Sequence, residues 1–252
     1  MKKVSIVIPA YNELVNFKAG VLKQISTYLN KKNLDWEVII VDDGSTDGSN
    51  HLIKKFVSTQ KNWHFIQNLH RGKTNTIKTG VFKSKNPLTL FTDFDQSTPI
   101  SEVEKLLPFT SKGFKIVIGS REVKGSFRKK EPWYRHLMGK GFNFGVQLIA
   151  VRGIHDTQCG FKVFDTMIAK QLFNDLKVYQ LKSKPEKHAF TGAFDVELLF
   201  IANKRKIKIA EVPIHWKHAT TARISPIRDS IRMAFDVIKI RLVDMIGGYK
   251  KV

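Results

Sequence analysis

One cysteine, Cys159, is all the chain contains. No disulfide can form within it, and a reducing compartment such as the cytosol is its natural setting. Long apolar runs are missing too: nowhere do about 18 uncharged apolar residues follow one another, so no segment is expected to span a bilayer. The opening MKKVSIVIPAYNE is apolar only from Val4 to Ala10 and then turns, which reads as a first strand and not as a secretory leader. Two common phosphate-binding devices are absent. There is no GxxxxGK(S/T) loop, and no GxGxxG follows the first apolar run. Acidic residues are scarce, 22 against 43 Lys and Arg, which leaves a formal charge of +21. A field of that sign attracts polyanions of any kind, whether nucleic acid, anionic lipid headgroups or phosphorylated small molecules. For any single lysine, solvated surface charge kept for solubility is the simpler reading.

What is present is an ordinary globular composition, 42% hydrophobic and 26% charged over 252 residues, enough for one sizeable α/β core. Short β-branched runs alternate with amphipathic stretches. Strands are expected at Val4 to Pro9, Glu37 to Val41, His64 to Gln67, Leu88 to Thr92 and Lys115 to Gly119. Helices are expected from Glu13 to near Leu29, from Ser49 to about Ser58, from Lys73 to about Phe82 and from Gly192 to Asn203. This rhythm predicts a mostly parallel central sheet with helices on both faces, and ligands in such sheets lie beyond the carboxyl ends of the strands.

Those carboxyl ends carry useful chemistry. Strand one runs into Pro9, Tyr11 and Glu13, strand two into Asp42 and Asp43, strand four into Asp93 and Asp95, and strand five into Arg121. In LFTDFDQSTP a break at Asp93 would aim both acids into one pocket, where a hard divalent cation suits oxygen ligands. The competing reading is a polar strand end leading into a helix capped by Thr98 or Ser101. An aromatic ring, several acids, Lys73 and Arg121 at one edge suit a nucleotide whose phosphates are held by metal and basic side chains.

SIVIPAYNE, VDDGSTDGS, the TDFD turn, IGSR, DTQCGFK and AFDVELL occur in this order and spacing. Together they resemble the family 2 glycosyltransferases of the GT-A fold, within them the polyprenyl-phosphate (dolichyl-phosphate) glycosyltransferases, and in particular the glucosyltransferase branch with its DTQCGFK segment. The resemblance covers roughly Val4 to Arg241. It implies that Pro9, Tyr11, Glu13 and Asp43 line the nucleoside pocket. Asp93 and Phe94 meet the nucleotide sugar, Asp95 binds Mg²⁺ or Mn²⁺, and Ser97 stands where a second metal ligand is found in relatives. Lys73 and Arg121 take donor phosphates, Arg135 takes the acceptor phosphate, and Lys217 and Arg223 close over the diphosphate. It further implies a hexose moved from a nucleotide sugar, UDP-glucose by branch, to a polyprenyl phosphate at a membrane surface. A phosphate acceptor is already anionic, so direct displacement with inversion needs no strong base.

Asp156, Asp195 and Glu197 are each open to two readings, orienting a sugar hydroxyl or serving as cap and loop acids. Cys159, with no second thiol or nearby base, reads as a small buried residue. From Arg121 to Gly141 there are seven Lys or Arg against two Glu, interleaved with Phe127, Trp133 and Tyr134 and followed by the apolar Phe142 to Val151. That suits either a membrane-surface element over about 121–151 or a core helix behind a basic loop. The stretch Pro226 to Ile246 carries an apolar stripe at Ile227, Ile231, Ala234, Ile238, Leu242 and Met245, so it lies against the catalytic domain or on a bilayer. The expected organisation is a catalytic domain over 1–225 and a C-terminal amphipathic helix and tail over 226–252. Its placement is peripheral on the cytoplasmic face of a membrane, held there intrinsically or by an anchoring partner subunit. Alternatives are a GDP-mannose donor, a non-lipid saccharide acceptor, or a non-catalytic nucleic-acid binder. The last has the charge but no RNP-like or helix-turn-helix signature, so no nucleic acid partner is expected.

Overall fold

Runs such as VSIVI and EVIIV, β-branched at nearly every position, need apolar cover on both faces and therefore belong inside a sheet. The computed structural model describes residues 2–32, 35–129, 141, 145–147, 149–151, 153–180, 192–217 and 226–249. Its main sheet is built from β1 (Val4–Ala10), β2 (Trp36–Asp42), β3 (Trp63–Gln67), β4 (Leu88–Phe91), β5 (Ile116–Ser120), β7 (Lys162–Asp165) and β8 (Ile209–Pro213), in the order β3-β2-β1-β4-β7-β5-β8. A separate parallel pair joins β6 (Phe127–Lys129) to β9 (His215–Lys217). The pairs β1–β2, β1–β4, β2–β3 and β5–β8 are parallel. Strand β7 runs antiparallel to both β4 and β5 and separates them.

Side chains alternate across the sheet as a period of two demands. Val4, Ile6 and Ile8 of β1 enter one core layer and Val7 the other; Val117 opposes Ile116 and Ile118, and Val163 opposes Phe164. The first layer is covered by α2 (Val21–Lys31), α3 (Ser49–Val57) and α5 (Val103–Ser111). The second is covered by α4 (Lys73–Lys83), α6 (Thr166–Asp175), α7 (Phe194–Lys204) and α8 (Pro226–Met245). Asp165 ends β7 and starts α6 by accepting the N–H groups of Met167 and Ile168, at 3.1 and 3.3 Å.

The sequence expectations are corrected or completed at three points. The first helix is two: α1 (Leu14–Lys18) stops before Gly20, whose φ of 78° admits the break at little cost. Strand β7 was not expected at all. The C-terminal stripe faces outward: α8 packs through Val237 and Ile240, while Ile231, Phe235, Ile238, Leu242 and Met245 stand exposed. Among the described residues no helix is long and apolar enough to cross a membrane.

Candidate active site

The acidic turn is shaped by what lies between the acids. Strand β4 ends at Phe91, and Thr92 N–H still bonds to the carbonyl of Val7 at 3.1 Å. Gln96, at φ 51°, then folds back so that its N–H and Nε2 both reach the carbonyl of Asp93, at 3.3 and 2.9 Å. Phe94, expected beside the nucleotide sugar, instead sinks into the first core layer at 2% exposure, because a phenyl ring at this position gains more from apolar cover than from water. That anchor leaves Asp93 and Asp95 on the outer side together. The capping alternative does not hold: the short 3₁₀ turn Ile100–Glu102 that follows has Pro99 before it and no side-chain cap.

Asp93 Oδ1 accepts a hydrogen bond from Lys73 Nζ at 2.5 Å. Its Oδ2 occupies the space a side chain on residue 160 would need, since a Cβ built on Gly160 would lie 2.0 Å from it. The glycine of DTQCGFK is thus the floor under the first acid. Burial alone would lower the pKa of Lys73, but Asp93 first, then Asp195 and Asp95, outweigh it and raise the value, so the ammonium stays charged. Asp95 accepts the N–H of Ser97 at 2.9 Å. Burial, then the charge of Asp93, pushes the Asp95 carboxyl above the ordinary range, with Ser97 and Lys73 opposing. Behind them, fully buried Lys162 pairs with Asp195 at 2.6 Å and donates to the Cys159 carbonyl.

Beyond the end of β2, Asp43 is heavily engaged. Its carboxylate accepts the N–H groups of Arg71 and Gly72, at 2.9 and 3.0 Å, and His70 Nδ1 at 2.8 Å. Nδ1 also faces the Asp43 carbonyl at 3.1 Å, so with acceptors on both sides it carries the proton. The Tyr11 ring stacks on His70, centroids 4.2 Å apart. Pro9 is the register partner of Val41 in the adjacent strand, and Glu13, buried, binds Asn16 Nδ2 at 2.5 Å. His70 Nε2 and Arg71 Nε are buried without a hydrogen-bond partner among the described residues, which marks this as a place a ligand would complete.

Arg121 is clasped by fully buried Asp156: Nε to Oδ2 and Nη2 to Oδ1, each 2.8 Å, with the Arg121 N–H also at 2.8 Å from Oδ2. Its guanidinium lies 5.4 Å from the Trp216 ring centre. Burial would raise the Asp156 pKa, but the Arg121 charge and hydrogen bonds hold it below the usual carboxylate range. Lys217 reaches the acidic turn through its backbone, donating to the Ser97 carbonyl at 2.8 Å. Of the three acids left open by sequence, Asp156 fixes Arg121 and Glu197 accepts the N–H groups of Lys177, Val178 and Tyr179. Only Asp195 lies close enough to act on Lys73 and Asp93. Cys159 is buried and its thiol pushed up to about 12, chiefly by burial, so it is no nucleophile. Arg135 and Arg223 lie outside the described residues, as do Trp133 and Tyr134. His70, Gly160 and Lys162 were not anticipated; Gly160 and Lys162 carried a signal, their place in DTQCGFK.

The donor set suits a hard cation. Among the described residues no three His, Cys, Asp or Glu side chains gather into a closed metal cage. Two carboxylates at one turn match Mg²⁺ or Mn²⁺, which keep waters and share oxygens with substrate phosphates. A mostly parallel sheet with acids, a lysine and a His and Arg with unsatisfied nitrogens along its carboxyl edge is the pattern of a GT-A-type nucleotide-dependent transferase. The profile of "Glycosyl transferase family 2" matches residues 5–173, and the chain belongs to this family. It is 32% identical over 261 residues to a dolichyl-phosphate beta-glucosyltransferase of Dictyostelium discoideum, covering 98% of this chain and 76% of that one. It is 32% identical over 265 residues to the Homo sapiens protein of the same description, covering 99% and 78%. Among solved structures it shares its fold, at TM-score 0.60 and 19% identity over 98% of this chain and 80% of the other, with glucosyl-3-phosphoglycerate synthase from Mycobacterium tuberculosis in complex with Mn²⁺, UDP and glucosyl-3-phosphoglycerate.

Proposed function

We propose that the chain transfers glucose from UDP-glucose to a polyprenyl phosphate, dolichyl phosphate by analogy with its relatives, with inversion at the anomeric carbon. The observation that carries this reading is the Asp93–Asp95 turn, braced by Lys73 and by the glycine of the DTQCGFK segment, in a chain similar over nearly its full length to dolichyl-phosphate beta-glucosyltransferases. Tyr11, His70 and Arg71 receive the nucleoside, His70 Nε2 and Arg71 Nε supplying the polar contacts that Asp43, occupied by its own loop, does not. A divalent cation bound at Asp95, with Asp93 beside it, supplies charge neutralisation to the diphosphate.

The chain's own residues do the rest. Lys73 holds Asp93 in place through its hydrogen bond to Oδ1, and Arg121 and Lys217 add positive charge where the leaving diphosphate gathers negative charge. An acceptor phosphate oxygen attacks the anomeric carbon. The bond from that carbon to the UDP oxygen breaks, the electron pair leaves with UDP, and no proton need move. Arg135 and Arg223 remain assigned to the acceptor phosphate and the diphosphate on resemblance alone.

The exposed apolar stripe of α8 and the net charge of +21 support peripheral seating on an anionic, cytoplasm-facing membrane surface. Incubation with labelled UDP-glucose, Mn²⁺ and dolichyl phosphate should yield an organic-extractable, β-linked glucosyl product, and GDP-mannose should yield far less. Absence of lipid product with every donor would refute the assignment.

A further inference from the structure

The small sheet β6–β9 borders a cleft that meets the donor side only at Lys217. Its volume is about 420 Å³, and Pro99, Phe127, Lys129, His215, Trp216 and Lys217 line it. The walls are mainly apolar: Phe127 stands 56% exposed and meets the His215 ring edge-on at 5.9 Å. The cations lie together, because Lys129 and Lys217 are register partners at one end of the ladder. That end touches the acidic turn, since Lys217 N–H bonds to the carbonyl of Ser97, two residues beyond Asp95. Trp216, also in the lining, has its ring flanked by Arg121 and Arg128, their guanidinium carbons 5.4 and 6.0 Å from its centre.

We infer that this cleft holds the first isoprene units of the polyprenyl phosphate, with Lys129 facing its phosphate and Lys217 standing between that phosphate and the donor diphosphate. The inference rests on the transferase reading above and names where its acceptor lies. The charge order decides the occupant: an apolar trough ending in two cations beside the reacting centre complements a molecule with an anionic head and an apolar tail. A free sugar would leave Phe127 unsatisfied, and a nucleotide base would lie on the wrong side of the turn. The volume falls within the range of about 300–1,000 Å³ of small-molecule sites. That is ample for a headgroup and the nearest isoprenes, whereas the remaining chain must leave toward the membrane.

The test compares acceptors with and without an isoprenoid tail. Wild type, Phe127→Ser and Phe127→Leu full-length proteins are assayed with farnesyl phosphate and with methyl phosphate at saturating UDP-glucose. Wild type and Phe127→Leu should favour farnesyl phosphate. Phe127→Ser, which removes the apolar wall without adding charge beside Lys129, should lose that preference through a KM for farnesyl phosphate raised about tenfold or more, while methyl phosphate, which has no tail to seat, is used as by wild type. A merely structural defect would depress both acceptors alike and overturn the inference, as would a Phe127→Ser enzyme that keeps the full tail preference. An altered molecular mass with the tail preference intact would mark a protein contact there instead, also against it. If wild type glucosylates neither phosphate nor a long polyprenyl phosphate, the transferase reading itself has failed. Lipid product from wild type with an unaltered Phe127→Ser profile refutes the cleft alone.

Discussion

Replacing Gly160 with alanine puts one methyl group where Asp93 keeps its carboxylate. The new Cβ would lie 2.0 Å from Oδ2, 2.6 Å from Cγ and 2.9 Å from Oδ1. The nearest oxygen is about 1.4 Å short of the 3.4 Å where ordinary contact begins, and a misplacement near 1 Å in a reacting constellation can cost about a hundredfold in rate. Gly160 is not among the residues with left-handed φ, so alanine brings no backbone strain. The displaced atoms end a short side chain, so the fold can absorb them. The 2.5 Å contact to Lys73 cannot survive the move. Gly160→Ala should therefore lower kcat/KM about a hundredfold, roughly 2.7 kcal/mol of transition-state stabilisation. The melting temperature should fall by no more than about 4 °C, as for a loss near 1 kcal/mol in a protein of this size. Transfer of labelled glucose to dolichyl phosphate and a thermal melt on the same preparation read the two quantities. Wild-type turnover in Gly160→Ala, or activity lost only in proportion to unfolding, would refute the coupling between the DTQCGFK turn and the acidic centre.

Asp95, whose folded pKa lies above its unfolded value, contributes stability only at low pH and loses it as pH rises through the folded value. Asp95→Asn should thus melt higher than wild type at neutral pH without metal while turning over no substrate; a lower melt would contradict the raised pKa assigned to Asp95. Asp156 is the opposite case, with a folded pKa held down by Arg121, so its contribution is present at neutral pH and disappears as pH falls below the usual value of about 3.9. Asp156→Ala removes the buried carboxylate that clasps Arg121 and should cost about 3–5 kcal/mol in denaturant unfolding at pH 7, shrinking toward acid pH. Lys162→Met alone should destabilise by a similar roughly 3–5 kcal/mol, while Lys162→Met with Asp195→Leu should recover most of it. Turnover should stay low in the double variant, because Asp195 no longer acts on Lys73; full turnover there would make the pair purely structural.

The strand ends were legible because burial on both faces writes itself into β-branched runs and turn residues break them, so Asp43, Asp93, Asp95 and Arg121 were assigned to one edge from sequence. Strand β7 was not. FKVFD is short, follows a loop, and pairs antiparallel between β4 and β5, neighbours that only the folded chain supplies. The same limit hid Gly160, whose need for no side chain is set by Asp93 far away in the chain, and Lys162, which reads as an exposed lysine until Asp195 is brought against it. In α8 the periodicity showed an apolar stripe without its direction. A second stripe through Met233, Val237, Ile240 and Val243 takes the core side and turns the first outward. Asp43 follows directly on the end of β2, and the backbone of Arg71 and Gly72 and the His70 ring, none of them visible from its local sequence, occupy its carboxylate.

The claim on which the rest depends is that the acids of the β4 turn hold a divalent cation that in turn holds the diphosphate. Calorimetric titration of UDP into wild type and Asp95→Asn, each with Mn²⁺ and with chelator, measures that directly and without turnover. Wild type should bind UDP at least about tenfold more tightly with Mn²⁺, and Asp95→Asn should bind it equally weakly in both conditions. A metal-dependent gain of the same size in Asp95→Asn would contradict the account.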